Sequence, residues 1–142
     1  MFRVIVDAAA KVKRALSEGD SEVTDMATKV AHAFISSRFR DVYEMTTSGF
    51  QKRNDRLLFE ARWADAVKER GPFTGFAVTN AGQIDIGYVP GLEDVPQADF
   101  EAMVQITFSS PDAKLEDDRA FTIAVVLLDD NGTTRIGAMH AS

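Results

Sequence analysis

The side chains in this sequence that could do chemistry are few and lie far apart. Histidine occurs only at His32 and His140, and cysteine is absent. Two histidines without cysteine make a poor zinc site, and thiolate catalysis is excluded. His32 points away from the apolar stripe of its predicted helix, which favours a surface position. The one acid–base pair that we can name is Tyr43 with His140, and it would make the protein an isomerase, dehydratase or cyclase.

Charge gives little sign of a polyanionic partner, because the formal net charge is −6 at pH 7. Basic residues do cluster between positions 38 and 62, but we interpret them as a solvated face. The acidic run at 116–118 is interpreted as a loop, since a metal ion would need further oxygen ligands that we cannot locate. We therefore predict no metal, no cofactor and no nucleic-acid partner, and we assign no catalytic residue.

The expected location is the cytoplasm. Asp7 and Lys11 interrupt the first apolar residues, which is unlike a signal peptide. No apolar run approaches the length needed to span a membrane, so no membrane partner is predicted. The lack of cysteine fits a reducing compartment.

The element best placed to position a site is a helix within residues 54–73. Asn54 or Asp55 offers an N-cap, because a short side-chain acceptor satisfies free N–H groups there. Phe59 and Trp63 are four residues apart and fall on one apolar face. Large aromatic side chains on that face predict either a packed core or the wall of a pocket.

The rest of the chain divides into helices followed by strands. Helices are predicted at residues 2–16, 24–38 and 41–46, and a short helix is predicted to start at Ser48. Strands are predicted at residues 74–89, Phe100–Ser109, 119–130 and Thr133–Ala141. A polar break at 17–21 suggests two parts: an N-terminal amphipathic helix in residues 1–20 and a single α+β domain in residues 21–142.

Three sequence features near the ends of these elements carry specific expectations. Gly71 is expected to end the long helix in a left-handed conformation, with Pro72 preventing continuation. Asn131-Gly132 predicts a tight turn between the last two strands. The strand at 119–130 is apolar on both faces, so it should be covered on both sides.

The order of elements resembles the nuclear-transport-factor-2-like superfamily, an α+β fold that includes ketosteroid isomerase and scytalone dehydratase. The resemblance rests on residues 31–45 (AHAFISSRFRDVYEM), on residues 59–73 (FEARWADAVKERGPF), and on the paired strands 121–130 and 133–140. It covers roughly residues 24–142. The tryptophan helix with its Gly-Pro-Phe ending looks more like bacterial branches of unknown function than like the known enzymes.

The resemblance implies a cone, in which a curved antiparallel sheet wraps around the helices and leaves a pocket at the open end. It also implies that the second apolar face of strand 119–130 is a dimer surface, or is covered by the N-terminal helix. Ketosteroid isomerase uses an aspartate base with tyrosine and aspartate donors. The interior face of helix 24–38 offers no hydroxyl, so that catalytic set has no counterpart here.

Three functional hypotheses follow. The first is a non-catalytic domain that binds a small apolar ligand. Its predicted lining is Phe34, Tyr43, Phe59, Trp63 and Phe73, with Gln105 or Thr107 as orienting polar groups. The second is a homodimeric interaction or structural module that associates through the sheet. The third is the enzyme built on Tyr43 and His140.

Overall fold

The computed structural model describes residues 2–6, 21–117 and 119–141. The helices are α1 (Ser21–Ile35), α2 (Phe39–Glu44), α3 (Ser48–Arg53) and α4 (Arg56–Arg70). The strands are β1 (Phe2–Val6), β2 (Gly75–Gly82), β3 (Phe100–Ser109), β4 (Phe121–Asp130) and β5 (Thr133–Ala141). Short 3-10 turns at Ile86–Tyr88 and Gln97–Asp99 lie between β2 and β3. The predicted α+β class is confirmed.

The strands form one antiparallel sheet in the order β1-β2-β3-β4-β5, so neighbours in sequence are neighbours in space. The sheet is open and curved. Register shifts fall between Asn80 and Gly82, between Phe100 and Ala102, and between Val126 and Leu127. Shifts of this kind bend a strand and increase its twist, which gives the curvature a local cause.

Strand β1 corrects the prediction for the N-terminal segment. Residues 2–6 are not helical but pair with β2, from Phe2 opposite Asn80 to Val6 opposite Phe76. The β-branched residues in this short run suit a pleated strand, and pairing with β2 outweighs the helical spacing of apolar residues further on. The remainder of the predicted helix, and with it the proposed 1–20 unit, lies outside the described residues.

The ends of the helices agree with the sequence in part. Asp55 caps α4 by accepting a hydrogen bond from the Leu58 amide at 3.1 Å, as predicted. Helix α3 starts at Ser48, as predicted, and Thr47 is its N-cap. The expectation for Gly71 is wrong, because its φ of −92° and ψ of −166° are extended. Helix α1 ends at Ile35, earlier than predicted, and Ser37 follows with a φ of 56°.

The helices pack on one face of the sheet, which we call the inner face, and aromatic rings fill the space between. Phe34 of α1 has no exposed surface, and its ring centroid lies 5.3 Å from that of Trp63. It also lies 5.3 Å from the Phe39 ring and 5.7 Å from the Phe108 ring of β3. One continuous core therefore joins α1, α2, α4 and the inner face.

The opposite, outer face is covered in part by residues 83–99, which we call the outer segment. Ile86 and Leu92 of this segment are buried against Val126, Leu128 and Ala138. The segment is held in shape by Gln97, whose side chain bonds to the backbone of residues 84 and 86 at 2.9 and 3.0 Å. The second apolar face of β4 is thus partly covered by the chain between β2 and β3, a cover that the sequence did not suggest.

The edge of β5 is partly closed by the segment between α2 and α3. Thr46 forms a parallel bridge with Ile136. The Thr47 amide donates to the Ile136 carbonyl, and the Ile136 amide donates to the Met45 carbonyl, each at 2.9 Å. Pairing of this kind satisfies edge groups that would otherwise be open to another chain.

The turn between β4 and β5 is formed by Asn131 and Gly132. Their φ values of 56° and 85° confirm the predicted tight turn.

Candidate functional site

A hollow of about 200 Å³ lies beside Trp63, between the α3–α4 junction and β5. We call it the Trp63 hollow. Its lining consists of Phe50, Arg53, Asn54, Asp55, Leu58, Phe59, Arg62, Trp63 and Met139. The aromatic and methionine side chains of this set are each less than a tenth exposed, whereas Leu58 is 73% exposed. The hollow therefore has an apolar floor and an apolar side chain at its mouth.

Hydrogen bonds at the α3–α4 junction position the aromatic wall. The Thr47 hydroxyl accepts from the Phe50 amide at 3.1 Å, and the Asn54 side-chain amide donates to the Phe50 carbonyl at 2.9 Å. These bonds fix both ends of a helix that is only six residues long. The Asp55 cap then starts α4, so that Phe59 and Trp63 face the same interior as Phe50.

Guanidinium groups form the polar rim. Arg53 donates to the Gly137 carbonyl of β5 at 3.3 Å. Its side chain also lies so close to Gly91 that a Cβ there would be 2.9 Å from the Arg53 Nε. The Arg62 guanidinium lies 5.7 Å from the centre of the Trp63 ring, within the range of a cation–π contact. Arg53 thus ties α3 to β5 and the outer segment.

The predicted lining residues do not form one pocket. Phe59 and Trp63 line the Trp63 hollow, whereas Phe34 and Tyr43 are packed in the core behind it. Phe73 lies at a second hollow, near the C-terminal end of α4, where it stacks on Phe108 with ring centroids 4.7 Å apart. The five aromatic residues are close to one another mainly because they fill the same core.

Gln105 and Thr107 are not near the predicted pocket. Their neighbours Val104 and Ile106 are buried in the core, so strand alternation places Gln105 and Thr107 on the outer face. The Thr107 hydroxyl bonds to the Thr122 hydroxyl on β4 at 3.0 Å. The structure therefore places Gln105 and Thr107 on the face opposite the aromatic side chains that they were predicted to accompany.

The structure does not bring Tyr43 and His140 together. The Tyr43 hydroxyl is directed to the carbonyls of Asn54 and Gln51, at 2.7 and 3.2 Å, so it links α2 to the α3–α4 junction. His140 is exposed and pairs with Ala124 on the outer face. His32 is exposed, as predicted, and its ring centroid lies 5.5 Å from that of Phe76 in an edge-to-face arrangement. The only acid–base pair that we could name is therefore not assembled.

Seven lining residues were not predicted to line a site: Phe50, Arg53, Asn54, Asp55, Leu58, Arg62 and Met139. Two signals could have found some of them. Phe50 lies three residues after a capping threonine, which fixes its direction. Arg62 precedes Trp63 in the sequence, so a cation–π contact between them could have been expected. Met139 comes from a strand far along the chain, and no local pattern shows that it reaches α4.

No family model, curated protein or solved structure matches this chain. Within the described ranges, no helix combines the length and apolar character needed to cross a bilayer. Those ranges also bring together no group of three His, Cys, Asp or Glu side chains suited to a metal ion.

Proposed function

We propose that the protein is a non-catalytic binding domain whose small apolar ligand occupies the Trp63 hollow. The observation that carries this proposal is an apolar-floored space of about 200 Å³ with Leu58 left 73% exposed at its mouth. A cavity of about 150 Å³ lined by apolar side chains is enough for benzene. A ligand with a single aromatic ring therefore fits this hollow.

The polar groups around the hollow favour binding over chemistry. Asp55 and Asn54 bond to the backbone of the α3–α4 junction, and Arg53 bonds to β5. Groups held in this way support the wall of the hollow and can orient a ligand. They do not form a pair of nucleophile and general base.

We further infer a nuclear-transport-factor-2-like fold. Helices that precede an antiparallel meander and pack on one face of its curved sheet support this inference. A cytoplasmic location and the lack of a nucleic-acid partner are also proposed. The absence of cysteine supports the first and the net charge of −6 supports the second.

Toluene is expected to change the fluorescence of Trp63, the only tryptophan, because the hollow lies against its ring. Replacing Leu58 by serine should weaken toluene binding about tenfold, since burial of such a side chain is worth about 1.5–3 kcal/mol. Leu57→Ser is the matched control, because Leu57 is 66% exposed on the same helical turn but does not line the hollow. No fluorescence change at saturating toluene, or equal losses in both variants, would contradict the proposal.

A second proposal is that the protein forms a homodimer through the outer face. The part of this face formed by Gln105, Thr107, Thr122 and Ala124 lies outside the cluster covered by the outer segment. These residues are half-buried and mostly small, which gives a flat surface that a second copy can approach closely.

Ala124→Arg is expected to convert the dimer into a monomer, because it puts an unpaired charge at the centre of the interface. Light scattering at micromolar concentration measures the mass before and after the change. Ala64→Arg, at an exposed position of α4, should leave the mass unchanged. An unmodified chain that is monomeric under these conditions would rule out the dimer.

A further inference from the structure

A second hollow, of about 440 Å³, lies at the C-terminal end of α4, away from the Trp63 hollow. It is bounded by the end of α4, the start of β4 and the β3–β4 connection. Its lining includes Arg70, Phe73, Phe108, Ser110, Asp112 and Phe121, and we call it the Arg70 hollow. This volume falls within the range of about 300–1,000 Å³ that is typical of small-molecule sites.

Three stacked phenylalanine rings make its floor. The Phe73 ring lies 4.7 Å from the Phe108 ring and 5.5 Å from the Phe121 ring, with interplanar angles of 22° and 12°. Each ring is at most 6% exposed, so they are fixed by packing from behind. The floor is therefore apolar and rigid, which suits an apolar ring.

The Arg70 guanidinium lies beside this floor and has unused hydrogen-bond donors. Its guanidinium carbon lies 5.5 Å from the centre of the Phe121 ring. One Nη donates to the Arg119 carbonyl at 2.6 Å, which holds the group in place. A guanidinium has five N–H donors, and among the described residues Arg70 makes no other hydrogen bond and no ion pair.

Besides Arg70, the charged side chains at this hollow among the described residues are Arg119 and the carboxylates of Glu69, Asp112 and Asp117, so their sum is negative. Arg119 forms an ion pair with Asp117 at 3.3 Å. Hydrogen bonds from the Arg119 backbone and side chain lower the pKa of Asp117, so that carboxylate stays charged beside Arg119. Asp112 adds negative charge that also acts on Arg119. Glu69 and Asp112 both line the hollow, and they would repel a ligand that carries two negative charges.

We propose that the Arg70 hollow binds a small organic monocarboxylate with a flat apolar ring. The carboxylate accepts hydrogen bonds from the free edge of the Arg70 guanidinium, whose planar fork matches two carboxylate oxygens. The ring rests against the floor of Phe73, Phe108 and Phe121. Glu69 and Asp112 repel any anion, so a ligand whose one negative charge is held by Arg70 is favoured over a ligand with two. This site is separate from the Trp63 hollow and does not depend on the function proposed for it.

Benzoate and benzamide test the proposal, because they share a ring and differ in charge. Calorimetric titration of the full chain should give a benzoate dissociation constant below about 1 mM. Benzamide should bind at least about tenfold more weakly, since the charge-assisted hydrogen bonds are lost. Inorganic phosphate should give no binding. Equal affinities for benzoate and benzamide, or no benzoate binding at about 10 mM, would overturn the proposal.

Variants on α4 assign the binding to Arg70. Arg70→Gln should weaken benzoate at least about tenfold and leave benzamide unchanged, and Arg70→Lys should fall between Arg70→Gln and the unmodified chain. Arg56→Gln is the matched control, since Arg56 lies on the same helix and lines neither hollow. Thermal unfolding verifies that each variant is folded. Equal losses of benzoate affinity in Arg56→Gln and Arg70→Gln would refute a site at Arg70, whatever happens to toluene and Trp63 fluorescence.

Discussion

Phe34→Ala is expected to lower the free energy of unfolding by about 3–5 kcal/mol, the range for deleting a buried aromatic side chain. Phe34 has no exposed surface, and its ring contacts the rings of Phe39, Trp63 and Phe108. The change therefore removes the contact that joins α1 to α2, α4 and β3 at one point. Denaturant unfolding followed by circular dichroism measures the loss.

Phe34→Leu is the control, because it retains most of the apolar volume. It should lose less than about half as much stability as the alanine variant. Phe34 was predicted to line a ligand pocket, whereas the structure packs it in the core. The two interpretations predict different losses of stability for Phe34→Ala. A loss below about 1 kcal/mol for Phe34→Ala would mean that the space around Phe34 is not a packed core.

Gly137→Ala is expected to lower the free energy of unfolding by about 1–3 kcal/mol through overpacking. A Cβ at this position of β5 would lie 2.8 Å from the Cγ of Leu128 on the neighbouring strand. Leu128 is 4% exposed and packs under the outer segment, where Leu92 is also within 3.5 Å of that Cβ. With neighbours on both sides, the leucine side chain has little room to move away.

The same substitution in a Leu128→Ala background tests this explanation. Leu128→Ala alone should be destabilising, since it leaves a cavity under the outer segment. In that background Gly137→Ala should cost little, because the atoms it meets are gone. The coupling between the two changes is the quantity to measure. Equal costs of Gly137→Ala in both backgrounds would show that Leu128 is not the obstacle.

The sheet could be predicted largely from local sequence, because its strands are long and regular. Alternating apolar residues gave Phe100–Ser109 its correct ends, and the Asn-Gly turn fixed the start of Thr133–Ala141. β1 could not be predicted in this way. Its five residues become a strand by pairing with residues 76–80, at least seventy positions away.

The site was harder to predict, and the reasons are physical. Helical spacing correctly placed Phe59 and Trp63 together, but it could not separate a pocket wall from a packed core. Gln105 was assigned to the pocket although the alternation of β3 puts it opposite Val104 and Ile106. Met139 lines the Trp63 hollow because of the position of β5 in the sheet. No pattern in the sequence near Met139 predicts that position.

The bridge between Thr46 and Ile136 has a consequence for the order of assembly during synthesis. Backbone partners of the Met45–Thr47 stretch are supplied by β5, which the ribosome makes after every other described element. The helices are thus complete before the strand that anchors their connection exists. Until then Phe50 and Phe59 lack Met139 as a neighbour, so this aromatic surface is less covered in the nascent chain than in the folded protein.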